Sequence, residues 1–379
     1  MNSITSSSAA DLKTISALAG QAVKRPESGP VEYKAAKAEQ LYDALESVDQ
    51  LCGRIVKENP QEAKEAKLLK EIAEEAMRFR EKSGIKDYQK VGLFQGGLEV
   101  IAAVNGSLTP GVIAQAARNV LDGQGRLYLL DGHNREKQQD MFIMGAKGIK
   151  KLALSLSDQP ALDAFYATRN DESALIAVGQ MGELDLSAEK PVDVKLLGRI
   201  AEKTLEAEEG RIYSPPHTLE VMSGSLKVIR RLSQEVDHKH TIYPHLGFAL
   251  GEIAENALQK NQLMKPVSFF HRRPESVLTP GQKIGNCQGA LTVLSELSEG
   301  SSSLTVKHMA GSLLYAEERM HFSKGSQNRE KNDQMYLSGR DALKIYAQGA
   351  EIKGTSMLDD LKTPEKVREY LNRKWNSWS

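Results

Sequence analysis

Along most of this chain the apolar residues recur three and four positions apart, the spacing that lines one face of an α-helix. Leu41, Leu45, Val48, Leu51 and Cys52 form one such stripe, and Leu68, Leu69, Ile72, Ala73 and Ala76 form another. Pro60 stands between them. A proline lacks the backbone donor that a helix interior needs, so the pattern predicts an N-terminal helical hairpin over 31–90. Residues 1–30 are rich in Ser, Ala, Gly and Pro with little periodicity, which predicts a disordered leader.

From residue 91 to residue 379 the pattern copies itself. NREKQQDMFIMG at 134–145 and NREKNDQMYLSG at 328–339 share Asn, Arg, Glu, Lys, Met and Gly in register. FQGGLEV at 94–100 and CQGALTV at 287–293 share Gln, Gly, Leu and Val. Between these landmarks both copies hold a further helical stretch that ends near an Arg. Each copy, about 94–150 and 287–344, therefore predicts one supersecondary unit of helix, turn and helix. Such a unit cannot cover its own apolar stripe, and stacking related units does. The expected fold is mainly α, an irregular α-solenoid of stacked helix pairs following the hairpin. In the second helix Met141 and Met335 are expected to face inward and Arg135, Glu136 and Lys137 to stay solvated. Gly145 and Gly339 are expected to end or bend it. A shorter echo links KEIAEEAM at 70–77, GRIAEKTL at 198–205 and GEIAENAL at 251–258.

The segments GHNREKQQDMFIMGAKGIKKL and SQNREKNDQMYLSGRDALKIY resemble the last helix of armadillo or HEAT-type repeats. That resemblance implies a scaffold that binds a protein partner. Its expected contact residues are Arg135, Glu136, Arg329, Glu330 and Tyr336, with Arg272 and Arg273 of the FFHRRPES loop.

Charge and composition narrow the partners. Fifty basic and fifty acidic side chains cancel, so no global field draws the chain to nucleic acid or to an anionic membrane. Two cysteines cannot build a disulfide framework, which fits a reducing, cytoplasmic setting. No apolar run is long enough to span a bilayer. The start, MNSITSSSAADL, has no acidic residue before Asp11 and resembles the leader of bacterial type III secreted effectors. That resemblance implies virulence work in a host cytosol on a host protein.

Three constellations suggest other chemistry. IGNCQGAL at 284–291 resembles the nucleophile segment of papain- and transglutaminase-like hydrolases. The resemblance assigns Cys287 as nucleophile at a helix start, with His321 as base and Asp333 or Asp341 as the orienting acid. RLYLLDGHNR at 126–135 resembles the strand–turn–helix signature of ParB/sulfiredoxin-like domains, and NVLDGQGRLYLLDG reads as a hairpin. There Asp131, Gly132, His133 and Arg135 would hold a nucleotide or phosphate. DHKHTIYPH, with Asp237, His238, His240 and His245, reads as a polar connection, so no metal site and no cofactor is expected.

Overall fold

The computed structural model describes residues 11–24, 34–127, 133–181, 192–209, 214–236, 245–262, 278–297, 303–322, 325–353 and 356–377. Among these residues the chain is mainly α, with fifteen α-helices and one isolated parallel bridge between Val192 and Val236. It divides into two compact units. Unit 1 is Met1–Phe165 with Met181–Glu183, and unit 2 is Tyr166–Gln180 with Leu184–Ser379.

Unit 1 opens with a helix inside the stretch expected to be a disordered leader. The Asp11 carboxylate accepts from the Thr14 amide at 2.8 Å and starts α1 (Leu12–Ala22). Leu12, Ile15 and Ala19 are buried, and the Ser16 hydroxyl donates to the Ala102 carbonyl. The predicted hairpin follows as α2 (Lys34–Glu58) and α3 (Ala63–Met77), broken around Pro60. Leu41, Leu45, Val48 and Cys52 face Leu69, Ile72 and Ala73 in its dry seam. Both helices pack on α4 (Asp87–Ala103). Every residue from Val91 to Ile101 is buried. Apart from Gln95 and Glu99, VGLFQGGLEVI offers small or apolar side chains on all sides, so this helix is stable only when enclosed. α1, α2, α3, α5 (Pro110–Gly123) and α6 (Asn134–Leu156) enclose it, and α7 (Gln159–Ala167) comes next.

Unit 2 begins with α8 (Asp171–Met181) and then repeats the arrangement. α9 (Val194–Glu208), α10 (Pro215–Leu232), α11 (Leu246–Gln262), α13 (Ser303–Tyr315) and α14 (Gly325–Gly349) surround α12 (Pro280–Ser295). All of Ile284–Leu294 is buried there. α15 (Pro364–Ser377) packs on α13 and α14.

The duplication therefore covers six helices per copy, not only the pair visible in the sequence. Counting from α1 or from α9, the first helix packs on the second and fourth, and the second on the third and fourth. The third packs on the fourth and sixth, the fourth on the fifth and sixth, and the fifth on the sixth. The helix pairs expected of a stacked array are α4 on α6 and α12 on α14.

These two pairs meet through glycines. A methyl group at Gly92 or Gly96 would lie 2.2 Å from the Lys137 carbonyl oxygen or 2.4 Å from that of Met141. At Gly285 or Gly289 it would lie 2.0 Å from the Lys331 or 2.3 Å from the Met335 carbonyl oxygen. Two glycines one turn apart thus let backbone touch backbone. Gly145 and Gly339 do not end α6 and α14, which continue to Leu156 and Gly349. They are small because the Val120 and Leu313 side chains sit over them, 2.6 Å and 2.4 Å from where a methyl would be.

Polar groups in the core are also duplicated. The Gln95 amide donates to the Gly123 carbonyl at 3.3 Å, and the Gln288 amide to the Ala316 carbonyl at 2.6 Å. Both close the C-terminal end of the fifth helix. Lys137 and Lys331 are not solvated but fully buried, each on its sixth helix beside the glycine crossing. Lys331 Nζ donates to the Met320 carbonyl and lies 5.7 Å from the centre of the Phe322 ring. Burial lowers its pKa to about 8. The copies differ one turn further along the central helix. Buried Glu99 takes both bonds of a fork from Arg126, at 3.1 and 2.8 Å, whereas unit 2 has Thr292 there.

Candidate functional site

Cys287 lies about two turns inside α12, not at its start, and its side chain is fully buried. The helix N-terminus therefore does little for its thiolate. Its hydrogen-bond neighbours are Asn261 of α11, whose amide donates to Sγ at 3.0 Å, and Ser223 of α10, with Oγ 3.7 Å away. Asn261 is held in turn by Asn286, whose amide donates to Asn261 Oδ1 at 3.0 Å and to the Ala257 carbonyl at 2.7 Å. Burial pushes the Cys287 pKa up to about 11, so the group is a thiol at neutral pH. Cys52 is raised to about 12 by the same cause.

The proposed base and acid do not join this cluster. His321 is exposed between the 3-10 turn Ala316–Glu318 and α14. Asp333 on α14 faces Arg329 at 3.9 Å, and partial burial raises its carboxyl. Asp341 pairs with Lys260 and Arg340. The geometry thus brings Cys287 to an asparagine and a serine, and its chemistry is that of a small buried side chain. Iodoacetamide is expected to label Cys287 of the native chain at least ~100-fold more slowly than a free thiol, with full labelling after denaturation. Rapid native labelling, checked by peptide mass spectrometry, would restore it as a nucleophile.

The hairpin expected around GQG is absent among the described residues. Asn119 to Gly123 close α5, and Gln124–Arg126 form a 3-10 turn. Ile113, Ala117, Val120 and Gly123 carry the buried stripe of α5 to this point, which outweighs the glycine turn signal. Asp131 and Gly132 lie outside the described residues. His133 stacks on Tyr88 with ring centres 4.3 Å apart and planes within 5°. Its Nδ1 is 3.9 Å from Glu136.

Both copies of the Asn-Arg-Glu-Lys segment keep their Arg at the surface. Arg135 and Glu136 are exposed at the first turn of α6, and Arg329 is 82% exposed at the equivalent place on α14. Glu330 accepts from the Thr279 hydroxyl at 2.7 Å. Tyr336 is not an exposed contact residue, being only 1% exposed. Its hydroxyl donates to Glu317 at 3.1 Å and the Arg368 guanidinium lies 4.8 Å from its ring centre. Arg272, Arg273, Asp237, His238 and His240 lie outside the described residues, and among the described residues no group of three or more His, Cys, Asp or Glu could hold a metal ion.

One feature of unit 2 is marked by no motif. A cavity of about 340 Å³ opens between the α7–α8 turn and α10, lined by Thr168, Arg169, Asn170, Leu219, Glu220, Ser223 and Lys227. Asn170 is legible as a cap ahead of Asp171 and Glu172. Its partners on α10 are about fifty residues away, and no local spacing can announce that meeting. No protein-family model, curated protein or solved structure matches this chain.

Proposed function

We propose that this chain acts by binding a protein partner, as a helical scaffold, and not by covalent turnover. The observation that carries the reading is the duplicated Asn-Arg-Glu-Lys segment near the N-terminal end of α6 and α14. Both copies carry an exposed Arg followed by a Glu, exposed at 136 and half-buried at 330, next in sequence to the buried lysine of a glycine-notched crossing. Such a base holds the charged pair in a fixed place, which lowers the ordering cost of a contact. Arg135 and Arg329 are the cationic anchors, Glu136 and Glu330 the acidic ones. The aromatic anchor passes from Tyr336 to Tyr315, which is 63% exposed at the end of α13. With the Ser-rich start read as a secretion leader, the partner belongs to a host cytosol. No helix among the described residues is long and apolar enough to cross a membrane.

The test is a bait comparison with chemical crosslinking in a eukaryotic cytosolic extract. The wild-type chain and Cys287→Ala are expected to retain the same partner. Arg135→Glu with Arg329→Glu is expected to weaken it ~10-fold or more, through like-charge contact. A partner held equally by the charge-reversed chain, or lost with Cys287→Ala alone, overturns the scaffold reading.

A further inference from the structure

The geometry points to a second binding site, in the cavity between the α7–α8 turn and α10, for a small polar molecule carrying one oxyanion group, phosphate or carboxylate. The size is suitable, since about 340 Å³ falls at the lower end of small-molecule pockets. The stronger argument is the polarity of its wall, which is built to donate.

Three neutral groups line the space, and two of them, Thr168 and Asn170, already accept hydrogen bonds from the turn itself. Thr168 Oγ1 accepts from the Asn170 amide N–H at 3.1 Å, so its own hydrogen is left to give. Asn170 Oδ1 accepts from the Ser173 amide and the Ser173 hydroxyl, both at 2.8 Å, leaving its NH2 end as a donor. Ser223 stands at the end of the chain that passes through Cys287. The Asn286 amide fixes Asn261, the Asn261 amide donates to Sγ, and Ser223 Oγ lies 3.7 Å from Sγ, where either group can be the donor. The Ser223 hydroxyl, which can donate as well as accept, lines the cavity beside this chain.

Two cations complete the set. Among the described residues Arg169 and Lys227 line the cavity with no ion-pair partner of their own. A guanidinium suits a planar or tetrahedral oxyanion through its paired N–H groups, and the ammonium adds a point charge. Glu220 sets the limit. Its carboxylate accepts from a hydroxyl or amine on the ligand and repels a polyanion, so one oxyanion group per ligand is favoured. The wall is also stiff, because Gly224 lets α10 close on the turn. A methyl there would lie 2.4 Å from Ser173 Oγ and 2.9 Å from Thr168 Oγ1.

The test uses the full chain, titrated calorimetrically with inorganic phosphate and separately with acetate against chloride at matched ionic strength. Saturable binding of either anion is expected, and the tighter one identifies the group. Arg169→Gln and Lys227→Gln should each weaken it ~10-fold or more, and Glu220→Gln should tighten it. Arg373→Gln, a surface cation of the same unit outside the cavity, should leave it unchanged. Circular dichroism of the variants checks that the fold is kept. No saturable binding of either anion overturns the site, as does binding that persists unaltered in both cation variants.

Discussion

Gly285→Ala is expected to destabilise unit 2 by roughly 3–5 kcal/mol, lowering its thermal midpoint by on the order of 10 °C. The added methyl would sit 2.0 Å from the Lys331 carbonyl oxygen, which belongs to the backbone of α14 and cannot rotate away. Either the crossing of α12 and α14 opens, or one helix shifts along the other. Both break contacts made by the whole buried face Ile284–Leu294, since close-packed interiors transmit such a shift instead of absorbing it. Gly92→Ala should do the same to unit 1, with its methyl 2.2 Å from the Lys137 carbonyl oxygen. Gly53→Ala supplies the contrast. It lies within α2 with nothing inside 4 Å of the new methyl, so the better helix propensity of Ala should stabilise by about 0.5–1 kcal/mol. Thermal unfolding followed by circular dichroism measures all three. A Gly285→Ala chain as stable as wild type would mean that α12 and α14 are further apart than described.

What the sequence made legible was the part that lives in local spacing. The stripes of α2 and α3 and the paired NREK helices follow from apolar periodicity, and they stand where periodicity put them. α1 escaped because Leu12, Ile15 and Ala19 are few and sit among Ser and Ala, so its burial comes from α4 and not from its own pattern. The extent of the duplication was legible only in fragments. KEIAEEAM and GEIAENAL do fall on the matching helices α3 and α11, but GRIAEKTL falls on α9, the counterpart of α1. Side-chain identity there has drifted while the packing partners have not. Gly92, Gly96, Gly285 and Gly289 were visible as residues, yet their meaning is the carbonyl facing each one, on another helix. Cys287 was misplaced for a related reason: a helix that begins at Pro280 puts it about two turns in, and the flanking Gly and Asn marked a packing notch instead of a helix start. The cavity depends on the α7–α8 turn meeting α10, which no motif encodes.

Lys331 and Lys137 show the same gap between residue type and role, and Lys331 gives the second large expectation. The usual reading of Lys in Asn-Arg-Glu-Lys is a solvated charge. Here an aliphatic stem fills the space beside the glycine crossing, and the amine reaches the Met320 carbonyl. The folded pKa is about 8 against 10.5 for the unperturbed side chain. Between these values the unfolded chain binds more protons than the folded one, so the contribution of Lys331 to stability rises with pH across that window. Below about pH 8 both states are protonated and the cost of the buried charge is fully present. Other groups move the opposite way: the Cys287 thiol and the Tyr336 hydroxyl, raised to about 11 and about 12, lose stability as the unfolded forms ionise. The comparison that isolates the lysine is therefore the difference between Lys331→Met and wild type. Met fills the stem's space and leaves the Met320 carbonyl unpaired at every pH, a constant offset of about 1–3 kcal/mol. On top of that offset, wild type should gain about 3 kcal/mol relative to Lys331→Met between pH 7 and pH 10.5, with most of the change above pH 8. Urea unfolding of both chains across this range reads it directly. A difference that stays flat with pH would mean that Lys331 is solvated or paired with a carboxylate in the folded chain, and that α14 does not press its first turns against α12.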